Sequence, residues 1–153
     1  MSAQITNDHL LREALNTLIP SQQRELGGLF VANVGHLSSD PRVEQSLAVA
    51  ADKESAPQAL ETTYKSVKAF ATQTYTACGS DADWAAQAEH FVAAAAAAAL
   101  APEDQTGPKG NNAWKAAMQA RMAKSCEMIL NDDGGVANEA EKQYQIAQDY
   151  LAR

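Results

Sequence analysis

The sequence has few of the residues that build disulfide scaffolds or metal sites. Only two cysteines and three histidines occur among its 153 residues, and aromatic residues make up 6% of the chain. Two cysteines, Cys78 and Cys126, are too few for a disulfide framework in a chain of this length. We therefore expect a reducing, cytoplasmic compartment. The first residues show no basic segment followed by an apolar stretch, so no secretory signal is expected either.

Long apolar runs and excess positive charge are also missing. The longest apolar run, Phe91 to Ala101, has eleven residues, whereas a membrane-spanning helix needs about 20. Acidic residues outnumber basic ones by 19 to 12, for a net charge of −7, which repels phosphate backbones. We expect no association with membranes or nucleic acid. The modest basic cluster of Lys115, Arg121 and Lys124 is interpreted as a solvated helix face.

Alanine is abundant, and the pattern of apolar residues is helical throughout. Proline, glycine and Asn/Asp positions divide the chain into about six to seven helical segments, and none of them alternates as a strand does. Short connections favour antiparallel neighbours. The sequence therefore predicts an all-α, single-domain bundle of mostly antiparallel helices over residues 1–153. Residues 102–112, rich in Pro and Gly, are predicted to form a mobile loop.

Several local signals predict where helices begin and how they pack. Asp40-Pro41 is a start signal, and Pro57 can open a long helix. The segment from Ser80 to Asp83 resembles a capping box. The pair Gly27-Gly28 inside a helix costs about 1 kcal/mol per glycine relative to alanine. It predicts either a kink or a close helix crossing.

The histidines and acidic residues do not have the spacing of metal-binding motifs. A di-iron bundle needs Glu-x-x-His, but Thr6, Asn33 and Gln87 stand three residues before the histidines. His-Glu-x-x-His is absent as well. The stretch from Asn131 to Gly135 does not fit a calcium loop, because counting back five residues from either glycine reaches Ile129 or Leu130. No metal ligands are assigned, and this stretch is predicted to be a turn.

Catalytic motifs are not recognised either. The glycine patterns of phosphate-cradling loops and the Gly-x-Ser-x-Gly nucleophile elbow do not occur. Both cysteines fall on apolar stripes, where buried cysteine behaves as a small hydrophobe. No catalytic residue is assigned, which favours a non-enzymatic protein. An enzyme using Cys126 or His90 with a carboxylate brought near by the fold is the third hypothesis.

One group of residues suggests a ligand pocket. His90 lies beside Phe91 and the alanine run, where an imidazole could serve as a polar anchor or as a haem ligand. A pocket between helices would be lined by Trp84, Phe91, Trp114 and Met118. The alternative interpretation is a half-buried histidine without a ligand. The stripe of Trp114, Met118 and Met122 is interpreted mainly as core, with a pliable binding surface as the alternative.

These observations lead to two functional hypotheses of different kinds. The first is a non-enzymatic helical bundle that acts by binding another protein or itself, with a homodimer as the commonest arrangement. The second is a carrier of a small ligand or cofactor, haem included, in a pocket between helices. No cofactor is assigned from the sequence.

Overall fold

The chain folds into α-helices joined by short connections. The computed structural model describes residues 4–77, 83–102, 110–131 and 138–153. Within them lie seven α-helices: α1 (Asp8–Asn16), α2 (Pro20–Ala32), α3 (Pro41–Ala51), α4 (Pro57–Ala77), α5 (Trp84–Leu100), α6 (Asn112–Leu130) and α7 (Glu139–Leu151). A 3₁₀ turn, Gly35–Leu37, follows α2. No strand occurs in these ranges, so the predicted all-α helical bundle is confirmed.

None of the helices in the described ranges has the length and apolar character needed to cross a membrane.

Polar side chains cap the helix starts largely as their local sequence suggests. Asp40 accepts a hydrogen bond from the Arg42 amide at 2.8 Å, and Pro41 begins α3, as the start signal predicts. One detail differs. Asp83, at the end of the proposed capping box, caps α5 by accepting from the Ala86 amide, while residues 78–82 lie outside the described part. Pro20 begins α2.

Hydrogen bonds hold the C-terminal end of the predicted loop over residues 102–112 against neighbouring helices. Asn111 is buried, and its side-chain amide donates to the Leu15 carbonyl at 3.0 Å. The Asn112 side chain donates to the Ala101 carbonyl at 2.8 Å and so ties the start of α6 to the end of α5. Residues 103–109 lie outside the described part, as do residues 132–135 of the predicted turn.

Helix α5 lies at the centre of the bundle. It contacts α2, α3, α4 and α6, and it is buried on several sides. Alanine makes this arrangement accessible, because small side chains let neighbouring helices approach closely from several directions. The buried residues of α5 are Ala88, Val92, Ala93, Ala95, Ala96, Ala97, Ala99 and Leu100.

Helix α6 buries its alanines rather than its large apolar residues. The interpretation of Trp114, Met118 and Met122 as a core stripe is wrong for Met122, which is 49% exposed. Trp114 and Met118 are half-buried and pack against a core cluster. The small side chains face α2 and α5, to which α6 packs most extensively. The buried residues of α6 are Ala113, Ala116, Ala117, Ala120, Ala123 and Cys126.

The glycine pair in α2 marks a close helix crossing. A Cβ atom on Gly27 would lie 3.2 Å from the Ala99 Cβ of α5, and one on Gly28 would lie 2.9 Å from the Ala50 Cβ of α3. Real Cβ atoms do not approach to 2.9 Å. Of the two predicted explanations for this pair, the structure shows the crossing, with α2 continuous through both glycines.

We expect Gly28→Ala to destabilise the protein although alanine favours a helix. Overpacking costs about 1–3 kcal/mol, which outweighs the gain of about 1 kcal/mol in helix propensity. Chemical denaturation of the single variants and of Gly28→Ala with Ala50→Gly tests this. The double variant should recover stability relative to Gly28→Ala, because the obstructing methyl group is gone. Equal stability of Gly28→Ala and the wild type would contradict the close crossing.

Candidate functional site

An open groove runs over α5 between α4 and α6. Its volume is about 810 Å³, which falls in the range of about 300–1,000 Å³ typical of small-molecule sites. Its lining residues come from all three helices: Tyr64, Lys68, Ala71, Thr72, Tyr75, His90, Ala94, Ala97, Ala98, Ala101, Trp114, Lys115, Met118 and Gln119.

The floor of the groove is one face of α5. His90, Ala94, Ala97, Ala98 and Ala101 line it, and their spacing of three or four residues places them one above another on a helix. Four of these five side chains are single methyl groups. The groove therefore exists because α5 carries alanine where larger side chains would fill the space between α4 and α6.

The walls carry larger and more adaptable side chains. Tyr64 and Tyr75 come from α4, and Trp114 and Met118 come from α6. Tyr75 is 71% exposed. The start of α6 is held by Asn111, whose side chain accepts from the Trp114 amide at 3.0 Å. The Arg12 guanidinium lies 4.8 Å from the centroid of the Trp114 ring. These walls suit an apolar or aromatic body.

The charged groups of the groove are of one sign. Lys68 and Lys115 line it, and no aspartate or glutamate does so among the described lining residues. The chain as a whole carries a net charge of −7. Lysines that line a cleft attract small anions even in an acidic protein, because the electrostatic field inside a cleft comes mainly from the charges that line it.

His90 is held against α4 by one ring nitrogen. Its Nδ1 lies 3.1 Å from the Ala71 carbonyl oxygen and 3.0 Å from the Thr74 hydroxyl oxygen. A carbonyl can only accept, so Nδ1 carries the proton and Nε2 has the lone pair. Burial lowers the pKa of His90, although the bond to Ala71 partly opposes this. The neutral ring thus offers an acceptor.

The structure brings together three of the five side chains proposed from the sequence. His90, Trp114 and Met118 line the groove. Phe91 packs against the main core cluster, with its ring centroid 5.3 Å from that of His90, and it does not line the groove. Trp84 is the first residue of α5, half-buried, and it lies outside the groove lining. Their role in ligand binding stays a prediction.

Sequence reasoning missed the contribution of α4. Tyr64, Lys68, Ala71 and Tyr75 form the α4 side of the groove, and their spacing puts them on one helix face. The sequence shows this spacing, but it does not show which other helix this face of α4 lies opposite.

A second cavity adjoins the groove at the C-terminal end of α5. Its volume is about 540 Å³, and Arg24 from α2 and Lys65 from α4 line it together with several apolar residues. The Arg24 Nη2 donates to the Asp52 carbonyl at 3.2 Å. Its Nε is shielded from solvent and has no acceptor among the described residues. An unsatisfied buried donor costs about 1–3 kcal/mol.

The enzyme hypothesis requires Cys126 or His90 together with a carboxylate, and the described lining of the groove contains His90 but no aspartate or glutamate. Cys126 is 4% exposed on the core side of α6 and is absent from the groove lining, while Cys78 lies outside the described residues. No group of three or more His, Cys, Asp or Glu residues that could hold a metal ion occurs in the part of the chain that the structure describes.

No protein-family model, curated protein or solved structure matches the chain.

Proposed function

We propose that the protein binds a small organic anion with an apolar or aromatic body in the groove between α4, α5 and α6. The observation that carries the proposal is the combination of an alanine floor, aromatic and thioether walls, and two lysines as the charged groups among the described lining residues of a groove of about 810 Å³. A flat apolar body would cover the alanines, and the anionic group would lie near Lys68 and Lys115. This is a binding function, not a catalytic one.

The chemistry of the walls explains why an anion fits better than a neutral molecule. Burial of an apolar body gains about 25 cal/mol per Å² for any ligand. The two lysines distinguish anions from neutral compounds of the same shape. Both lysines are exposed, so their effect is screened by salt. We therefore expect an anion preference that weakens as ionic strength rises.

Calorimetric titration with 2-naphthoate and with uncharged 2-naphthol tests the proposal. The wild type should bind the carboxylate more tightly. Ala94→Phe places a ring on the half-buried floor of the groove and should weaken 2-naphthoate binding by at least about tenfold, or about 1.4 kcal/mol. Lys68→Gln should reduce the preference for the carboxylate by about two- to fivefold, as expected for an exposed charge.

A matched control separates groove filling from a general effect of a new aromatic ring. Ala48 is exposed on α3 and does not line the groove, so Ala48→Phe should leave binding unchanged. Circular dichroism should show the same helix content in all variants. Equal binding by Ala94→Phe and the wild type would exclude the groove as the site.

Self-association is a second candidate, favoured by the outer face of α6. Met122, Ile129 and Leu130 are 49%, 52% and 52% exposed. Met122 and Ile129 continue the stripe that starts at Trp114 and Met118. An exposed apolar stripe of this kind can be covered by the same stripe of a second copy in a twofold dimer.

If α6 forms a dimer interface, the mass measured by light scattering should rise with concentration toward twice the 16.3 kDa of the chain. The double variant Met122→Lys with Ile129→Lys should then remain monomeric, because two like charges would be buried against their copies. Ile19→Lys is the matched control, since Ile19 is 59% exposed on the α1–α2 connection. A wild type that is monomeric at all concentrations would rule this candidate out.

A further inference from the structure

The groove and the second cavity meet at two residues. Tyr64 and Ala101 line both spaces. Tyr64 is 7% exposed and belongs to the core cluster that α4 and α5 share. Ala101 follows the last residue of α5 and presents only a methyl group. The boundary between the two spaces is therefore narrow, and an extended ligand could occupy both.

The second cavity combines an apolar lining with cationic side chains. Leu60 and Leu100 contribute apolar walls, and Arg24 contributes a guanidinium. Lys65 adds a second positive charge, and Glu61, 3.0 Å from the Lys65 Nζ, adds a negative one. Among the described lining residues, the charged side chains thus have an excess of one positive charge.

Helix ends add to this positive potential. Pro20, Pro57 and Asn112 all line the cavity, and each is the first residue of its helix, α2, α4 and α6. A helix N-terminus carries roughly half a positive elementary charge. The C-terminal end of α5 also lies at this cavity, and its partial negative charge offsets the partial positive charge of one of the three helix N-termini. The balance still favours an anionic group next to Arg24.

We propose that the ligand is an elongated dianion, with two carboxylates joined by an apolar chain. One carboxylate lies near Lys68 and Lys115 in the groove, and the other lies beside the Arg24 guanidinium in the second cavity. The chain between them crosses the boundary at Ala101 and Tyr64. This inference rests on the proposed function of the groove and adds the length of the ligand and its second charge.

Titration of the full chain with paired linear acids tests the inference. The probes are suberate, sebacate and dodecanedioate, each compared with the monocarboxylate of the same length: octanoate, decanoate and dodecanoate. At the best length, the dicarboxylate should bind at least about tenfold more tightly, which corresponds to one charge-assisted hydrogen bond at the guanidinium. Arg24→Gln should abolish this advantage and leave monocarboxylate binding within about twofold of the wild type.

Two further variants guard against indirect effects. Lys142→Gln makes the same change in net charge at an exposed position of α7, and it should change neither affinity. Lys65→Glu reverses a charge on an exposed side chain of the second cavity. It should weaken dicarboxylates selectively even if Arg24→Gln fails to fold.

Three results would overturn the inference. Equal affinity for dicarboxylates and monocarboxylates would reject the second anion position while leaving the proposed function of the groove intact. Equal weakening of both classes by Arg24→Gln would also reject it, because the effect would then not act through the second carboxylate. Absence of binding by every acid, 2-naphthoate included, would reject the proposed function itself.

Discussion

Replacement of Phe30 by alanine should destabilise the protein by about 3–5 kcal/mol, the usual cost of removing a buried phenylalanine. Phe30 is completely buried and is the largest such side chain in the described part of the chain. It packs in the cluster that joins α1, α2, α6 and α7, together with Leu11, Leu15 and Leu26.

Thermal and denaturant unfolding would measure this loss. In a chain of about this size, 1 kcal/mol corresponds to roughly 2–4 °C in the midpoint of thermal unfolding. Tyr75→Ala is the control, because Tyr75 is 71% exposed and its removal should change stability by no more than about 0.5 kcal/mol. Similar losses for the two variants would show that Phe30 does not occupy a closed core.

Replacement of Gln143 by leucine should cost about 1–3 kcal/mol, since it leaves the half-buried Arg121 guanidinium without one of its acceptors and the Ala117 carbonyl without its side-chain donor. Gln143 is fully buried. Its Nε2 donates to the Ala117 carbonyl at 2.9 Å, and its Oε1 accepts from the Arg121 Nε at 2.8 Å. Arg121 also donates to both carboxylate oxygens of Asp8, at 3.0 and 2.7 Å. One side chain of α7 thus supports the link between α6 and the start of α1.

A double-mutant cycle separates this network from simple packing. If Arg121→Met is introduced first, Gln143→Leu should cost at least about 1 kcal/mol less, because the stranded donor is then absent. Gln145→Leu on the exposed side of α7 is the control and should be nearly neutral. Additive losses in the cycle would mean that Gln143 acts through its volume alone.

Local features of the sequence were sufficient to predict the elements of the fold. Asp40-Pro41 predicted the start of α3, because capping depends on neighbouring backbone amides and not on distant residues. Helical periodicity likewise predicted an all-α bundle. The Gly27-Gly28 pair pointed to two alternatives, a kink or a crossing, since the cost of glycine is local but its benefit depends on the helix that lies opposite.

The faces of the alanine-rich helices could not be predicted in the same way. In α6 the large residues Trp114, Met118 and Met122 suggested the core side, yet the alanines are buried and Met122 is half exposed. Alanine gives a weak periodic signal because its methyl group is tolerated both in a core and at a surface. The predicted pocket therefore included Trp84 and Phe91, which lie elsewhere, and it lacked Lys68 and Tyr64.

The sequence by itself determined the helical class of this protein, most of its helix starts and the scarcity of residues suited to metal or disulfide chemistry. These properties depend on residue type and on spacing within a few turns of helix. The tertiary structure alone decided that α5 is central, that α4 and α6 stand apart over its alanines, and that Lys68 and Lys115 share a groove. These features depend on which helix faces pack together. In this protein the packing is determined by the small side chains, which allow the helices to approach closely.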